Sequence, residues 1–325
     1  MHKYNLNYLS SMKKYIALLC LICSSFCAAY AQQITFTPQW TPQSQFAGYY
    51  AALELGYYAE AGLDVSISHP TSSYSSINML LDGSADIITS ELIQAMSVSE
   101  NDVKLVNILQ TTQHSTLALL AREEGVKNMK QLEGSRIGTW KVGFSEVPHM
   151  IDEQYRLDIK WVKFFNPLNL YIAGAIDAAL VKSYNEQILF TMSGITPGSV
   201  LKFSDMGFDI PEDGLYVTEE FYKKNTELCH KFAQASRKGW EWVRNNREEA
   251  VEIVMKQVKA ENIPTNIYNQ KFMLEAILEV QEDVKGQEPS YSLKEEAFNK
   301  LNRILIEYGY ISKPVDYKGF TGGKL

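Results

Sequence analysis

FTPQWTPQSQFAGYYAALELGYYAEAGLDV, residues 36–65, is the stretch on which the reading of this chain turns. A strand closes at Trp40 and a polar loop follows. Ala47, Tyr50, Ala51 and Leu55 then recur near the helical period, which gives one apolar face. Gly56 stands where a glycine past a helix C-cap belongs, and Gly62 marks the turn into a second strand beginning at Leu63. Trp40, Gln43 and Phe46 fall at the strand end and the start of the helix, where open α/β sheets hold ligands.

The same alternation runs outward. Residues 63–69 read as a strand, Pro70-Thr-Ser-Ser-Tyr-Ser as a hydroxyl-rich approach to a helix over 76–81, and Ala85-Asp-Ile-Ile-Thr as a short buried strand. Ser90-Glu91 opens the next helix, and strands follow over 103–109 and 116–121. A second series places strands at 136–139, 160–164 and 175–181. Between them lie the loop Trp140-Lys-Val-Gly-Phe-Ser-Glu, a helix with Pro148 in its first turn, and a short helix over 168–173. Units of this length imply α/β architecture with parallel sheets and crossover helices.

Gly83-Ser-Ala-Asp-Ile and Gly174-Ala-Ile-Asp-Ala are matching turn-and-strand passages, as two similar lobes would give. Beyond Asp213-Gly214 the chain turns helical, over 228–245, 248–259, 269–282 and 293–308, the last with Ser292 and Glu295 spaced as a capping box. These helices are expected to pack back on the first lobe. Lobe 1 is then residues 32–121 with 214–325, lobe 2 is residues 122–213, and the crossings near Ala121 and Asp213 form a hinge.

A chain of 325 residues, 46% hydrophobic, has the size for two domains. Met12-Lys-Lys-Tyr followed by an apolar run and Ala29-Tyr30-Ala31 reads as a signal peptide over 1–31, cleaved after Ala31. The run is short for a spanning helix, so the expected destination is the periplasm, with no membrane insertion after cleavage. Cys20, Cys23 and Cys27 leave with that segment and none follows a lipobox. Cys229 alone remains, which allows no intramolecular disulfide.

The leader holds three of the 31 basic residues and no acidic ones, so residues 32–325 carry 28 basic against 38 acidic side chains. That formal −10 argues against nucleic acid or an anionic membrane as partner. His69, His114, His149 and His230 stand at no metal-ligand spacing, and neither a phosphate-cradling G-x-x-x-x-G-K nor a G-x-S-x-G elbow occurs. No metal, cofactor or catalytic group is therefore expected, and the chain is expected to be a monomer.

Five passages, in order, carry a resemblance: W-T-P-x-x-x-F-A-G-Y-Y-A-A from Trp40, G-Y-Y-x-x-x-G-L-D-V from Gly56, G-S-A-D-I from Gly83, L-E-G-S-R-I-G from Leu132, and G-A-I-D-A from Gly174. The chain resembles solute-binding proteins of ABC importers, in the branch for thiamine pyrimidine precursors, aliphatic sulfonates and nitrate. The resemblance implies a type II periplasmic-binding-protein fold, each lobe a mostly parallel sheet flanked by helices. It also implies a small-molecule ligand in the cleft and a membrane permease as partner.

The same superfamily includes the fungal-type thiamine pyrimidine synthase, which spends its own histidine on a lysine-bound pyridoxal phosphate. The positions matching its lysine and histidine are Ser90 and Gln94, and Gly207 to Leu215 lacks its cysteines. Serine cannot form a Schiff base, which disfavours that chemistry here.

Candidate ligand-binding residues follow from position and resemblance together. Trp40 is placed to stack on a planar solute, with Gln43 and Phe46 beside it, although Phe46 stands where pyrimidine-binding relatives commonly have histidine. Ser72 and Ser73 offer hydroxyls at a strand-to-helix passage, serving either an anion or ordinary helix capping. Ser90 and Glu91 lie at the end of a buried strand. Trp140, Lys141, Gly143 and Phe144 form the equivalent loop of the second lobe. Tyr184 and Glu186 follow the Gly174 strand, with Glu186 suited to an exocyclic amine. Together these favour an amine-bearing heterocycle.

Overall fold

The computed structural model describes residues 32–321 apart from 72, 73, 101, 102, 142 and 165. The expected signal peptide and the candidates Ser72 and Ser73 lie outside the described residues. In chain order the strands are β1 (Gln32–Thr37), β2 (Leu63–Ile67), β3 (Ile87–Glu91), β4 (Leu105–Gln110), β5 (Leu117–Ala121), β6 (Arg136–Trp140), β7 (Lys160–Phe164), β8 (Ala178–Lys182), β9 (Ser199–Lys202) and β10 (Asp213–Thr218). They form two sheets of five, ordered β2-β1-β3-β10-β4 and β7-β6-β8-β5-β9.

One strand in each sheet runs against its neighbours. β10 is antiparallel to β3 and β4, and β5 is antiparallel to β8 and β9, whereas β1–β3, β6–β7 and β6–β8 are parallel. The reason is the route of the chain: β5 and β10 arrive straight from the other sheet, with no crossover helix to turn them parallel. β5, which the sequence reading puts at the end of lobe 1, thus pairs in the second sheet, and the crossings are residues 111–116 and 203–212. The crossings are tied together. Thr111 N donates to Asp213 O at 2.9 Å, Asp213 N to Thr112 Oγ1 at 2.6 Å, and Ser115 N to Asp209 Oδ1 at 3.0 Å.

The helices Thr226–Asn245, Arg247–Ala260 and Ile267–Val280 bury Trp240, Val254 and Ile277 in one core with Ile34, Phe36 and Tyr49 of the first sheet and its helix Ala47–Glu54. Gly48 and Gly239 let two of these helices meet: a Cβ on Gly48 would lie 2.2 Å from Trp240 Cδ2, and one on Gly239 would lie 2.1 Å from Gly48 O. The last long helix spans Glu295–Glu307, two residues later than a Ser292 cap requires. Lys294 stands at its N-cap and makes no side-chain capping bond, so the expected capping box is not formed.

This route brings the carboxyl ends of the two sheets face to face. β3 ends at Glu91, opposite Asp213 of β10, and β8 ends at Lys182, opposite Leu117 of β5.

Candidate functional site

The first wall is the loop after β1. Gln39 N donates to Thr89 Oγ1 at 2.8 Å, His69 Nδ1 lies 2.6 Å from Trp40 O, and Tyr50 OH lies 3.0 Å from His69 Nε2. These bonds hold Trp40 half-buried at the sheet end. Gln43 Nε2 donates to Gln45 Oε1 at 2.6 Å, and Gln45 Nε2 to Asp213 Oδ2 at 2.6 Å. Gln39 Nε2 takes the other oxygen, Asp213 Oδ1, at 2.8 Å.

The second wall is the loop after β6. Trp140 Nε1 donates to Glu186 Oε1 at 3.0 Å, and the second Glu186 oxygen accepts from Lys182 N at 3.0 Å. Glu186 thereby fixes the indole and begins the helix Glu186–Met192. Phe144 sits between the walls, its ring edge-on to Trp40 at 5.5 Å and to Trp140 at 5.9 Å. Phe144 has φ +64° and Gly143 φ +69°. The positive φ at Gly143 favours glycine there, and a Cβ would lie 2.5 Å from Gln94 Nε2 of the opposite lobe, so the end of that side chain would have to move. Trp40, Gln43, Trp140, Phe144, Tyr184 and Glu186 line one cavity of about 20 Å3 together with Gln45, Asn185 and Lys182.

Beyond Phe144 the lining changes from aromatic to ionic. The Lys182 ammonium bonds the Glu91 carboxylate, a contact that joins the second sheet to the first, and lies 3.1 Å from Glu212 Oε2. The three side chains are 6–7% exposed. Glu212 also accepts from Ser115 Oγ and Thr116 N, each at 2.9 Å, and Gln94 Nε2 donates to Glu146 Oε1 at 3.0 Å. Glu91, Glu146, Glu212, Lys182 and Phe144 line a second cavity of about 20 Å3.

Burial pushes the Glu91 carboxyl up, to about 8, against the downward pull of the Lys182 ammonium. Burial also works against that ammonium, but Glu212 and Glu91 outweigh it and hold the lysine above its ordinary range. The two shifts ask opposite things of the pair. The lysine's is the firmer, because oxygens of two carboxyl groups reach its one nitrogen, so the ammonium is retained. Burial likewise raises Asp213, to about 6, and raises Glu186. A lysine held protonated offers no free amine, so Lys182 is a counter-ion and not a Schiff-base former.

The other candidates lie elsewhere. Phe46, expected on the aromatic wall, is 1% exposed and packs on Tyr50 and His69, at 6.5 and 6.1 Å. The 3-10 turn Ser44–Phe46 points it into the core. Ser90 is fully buried, its hydroxyl 3.4 Å from both Glu91 O and Gln94 Oε1. Lys141 is exposed and lines neither cavity.

Lys182, Glu212, Asp213, Gln45, Gln94 and Glu146 were not anticipated as site residues. For Lys182 a signal existed: a lone lysine closing the all-buried run Ala178–Lys182 at a strand's carboxyl end. Among the described residues no group of three His, Cys, Asp or Glu side chains is placed to hold a metal ion, and no helix is long and apolar enough to cross a membrane.

The profile of the family described as NMT1/THI5 like matches residues 43–250. YtlA of Bacillus subtilis (strain 168), named for binding with no ligand stated, is 24% identical over 288 residues, 84% of this chain and 82% of that protein. The formylaminopyrimidine-binding protein of Halalkalibacterium halodurans is 21% identical over 295 residues, 85% of each chain. Among solved structures, the periplasmic aliphatic sulphonate binding protein SsuA from Escherichia coli superposes with a TM-score of 0.61 at 14% identity, covering 89% of this chain and 91% of that one. The likeness in fold is to periplasmic binding proteins, and the curated relatives are named for binding and not for catalysis.

Proposed function

We propose that this chain, which belongs to the NMT1/THI5-like family, is the extracytoplasmic solute-binding component of an ABC importer, acting in the periplasm as a monomer. Its solute is a small amine-bearing heterocycle of the thiamine pyrimidine-precursor kind, held between two lobes that hinge at residues 111–116 and 203–212. One observation carries the reading. Trp40 from one sheet end and Trp140, Phe144 and Tyr184 from the other converge on a single space, with the Glu186 carboxylate beside them.

Rings suit a planar solute and a buried carboxylate suits an exocyclic amine, through a charged hydrogen bond worth roughly 1.5–3 kcal/mol. Closure is favoured only by contacts that need both lobes, and the Trp40–Phe144 pair is of that kind. The two cavities are too small for a heterocycle as they stand, so the walls part for the solute to enter. The permease then reads the closed lobes.

Native mass spectrometry of protein purified without refolding tests this. One equivalent of an unmodified solute is expected, and emission from Trp40 and Trp140 should change as it is exchanged for formylaminopyrimidine. A protein that retains nothing and whose emission ignores that compound refutes the reading. So does a lysine adduct fixed by borohydride after incubation with pyridoxal phosphate.

A further inference from the structure

Asp213 opens β10 and accepts on both carboxylate oxygens, from Gln39 Nε2 at 2.8 Å and from Gln45 Nε2 at 2.6 Å. With its nitrogen spent there, Gln45 turns its Oε1 toward Gln43, whose Nε2 donates to it at 2.6 Å. The nitrogen of Gln43 is spent in turn, and its Oε1 takes no bond among the described residues. Gln43 lines the ring cavity together with Trp40. Gln43, Gln45 and Asp213 are each no more than 7% exposed.

The order of donors in this chain is forced. A carboxylate only accepts, while an amide carries an acceptor at one tip and a donor at the other. Turning Gln45 over would set its oxygen against an Asp213 oxygen at 2.6 Å. Turning Gln43 over would set its oxygen against Gln45 Oε1 at the same separation. Either reversal leaves buried polar groups unpaired, which is costly. The backbone between the two glutamines is pinned as well, Ser44 N donating to Gln270 Oε1 at 2.7 Å.

We infer that Asp213 and Gln45 are positioning residues that fix the polarity of the Gln43 amide, so that Gln43 meets the solute with its carbonyl oxygen and accepts a hydrogen bond from the solute's exocyclic amine. The inference rests on the solute-binding reading and narrows it. The Gln43 oxygen comes from the first lobe and the Glu186 carboxylate from the second, and an exocyclic amine carries an N–H for each. A ring carbonyl or an ether oxygen in the amine's place would face an oxygen that has no means of turning into a donor.

The test reads a preference and not an affinity. Formylaminopyrimidine, and its analogue with hydrogen in place of the ring amine, are titrated against the tryptophan emission of wild type, Gln43→Met and Gln45→Met. Wild type should prefer the amine at least about tenfold, and that preference should fall at least about fivefold in both variants. Gln43→Met removes the acceptor itself, whereas Gln45→Met leaves it but frees its amide to turn over. Glutamines with only a structural role would weaken both compounds alike. An unchanged preference in either variant therefore overturns the inference, as does a wild type that binds both compounds equally.

Should Gln45→Met not accumulate as folded protein, Gln45→Asn keeps the amide but is one methylene too short to reach both Gln43 and Asp213, and the same loss of preference is expected. A wild type that ignores formylaminopyrimidine refutes the solute-binding reading and the inference with it. An unchanged preference in a variant overturns the inference alone and leaves that reading standing.

Discussion

Glu91→Gln isolates the cost of the buried carboxyl that meets Lys182. The folded chain holds this group at about 8, against 4.5 when unfolded. Between those values the folded state binds a proton that the unfolded chain has released, so the stability it contributes is present at low pH and is lost as pH rises toward 8. At 1.36 kcal/mol per unit, integration from pH 5 to pH 8 gives a loss of roughly 3 kcal/mol. Glutamine keeps the shape, can still accept from Lys182, and does not titrate. The stability of Glu91→Gln relative to wild type should therefore climb by roughly 3 kcal/mol across that range, a Tm gap widening by about 6 °C. Asp213, raised to about 6, is present in both proteins and cancels in the difference. Thermal unfolding followed by far-UV circular dichroism at pH 5, 6, 7 and 8, at constant ionic strength, measures it. A gap that stays constant or narrows with rising pH would refute the reasoning.

Gly48→Ala, and equally Gly239→Ala, should cost at least about 2 kcal/mol in urea unfolding, since the added methyl meets the Trp240 ring or the Gly48 carbonyl inside 2.5 Å. Cys229 is fully buried and its thiol is pushed up to about 12, so protein comprising residues 32–325 should show no reaction with Ellman's reagent at pH 8 until unfolded, then one equivalent. Phe144→Ala removes the ring that bridges Trp40 and Trp140 and should weaken solute retention about tenfold with a red shift in tryptophan emission, two edge-on pairs at roughly 0.5–1.5 kcal/mol each being lost. Unchanged retention and emission would show that the bridge is incidental.

Much of the aromatic wall was legible because its residues are placed locally. Trp140 closes a strand, and Trp40, Gln43, Phe144, Tyr184 and Glu186 each lie within a short loop after one, and the carboxyl end of a strand is a position the sequence can mark. Phe46 shows the limit: the period identifies a helical face, but a single 3-10 turn before it rotates that ring into the core. The strand over 117–121 shows another, since its hydrophobicity is the same whichever sheet receives it.

From its order of residues alone the chain determined the strand–helix alternation, the doubled pattern and the sites where rings gather, all of them patterns within about ten residues. Only the tertiary structure decided which charges meet. Lys182 and Glu91 are 91 residues apart, Glu212 is on a crossing segment, and Asp213 is held by Gln39 and Gln45 across more than 160 positions. No local period encodes such pairs, because they exist only once two sheets, each fed by a strand from the other, turn their carboxyl ends toward one space.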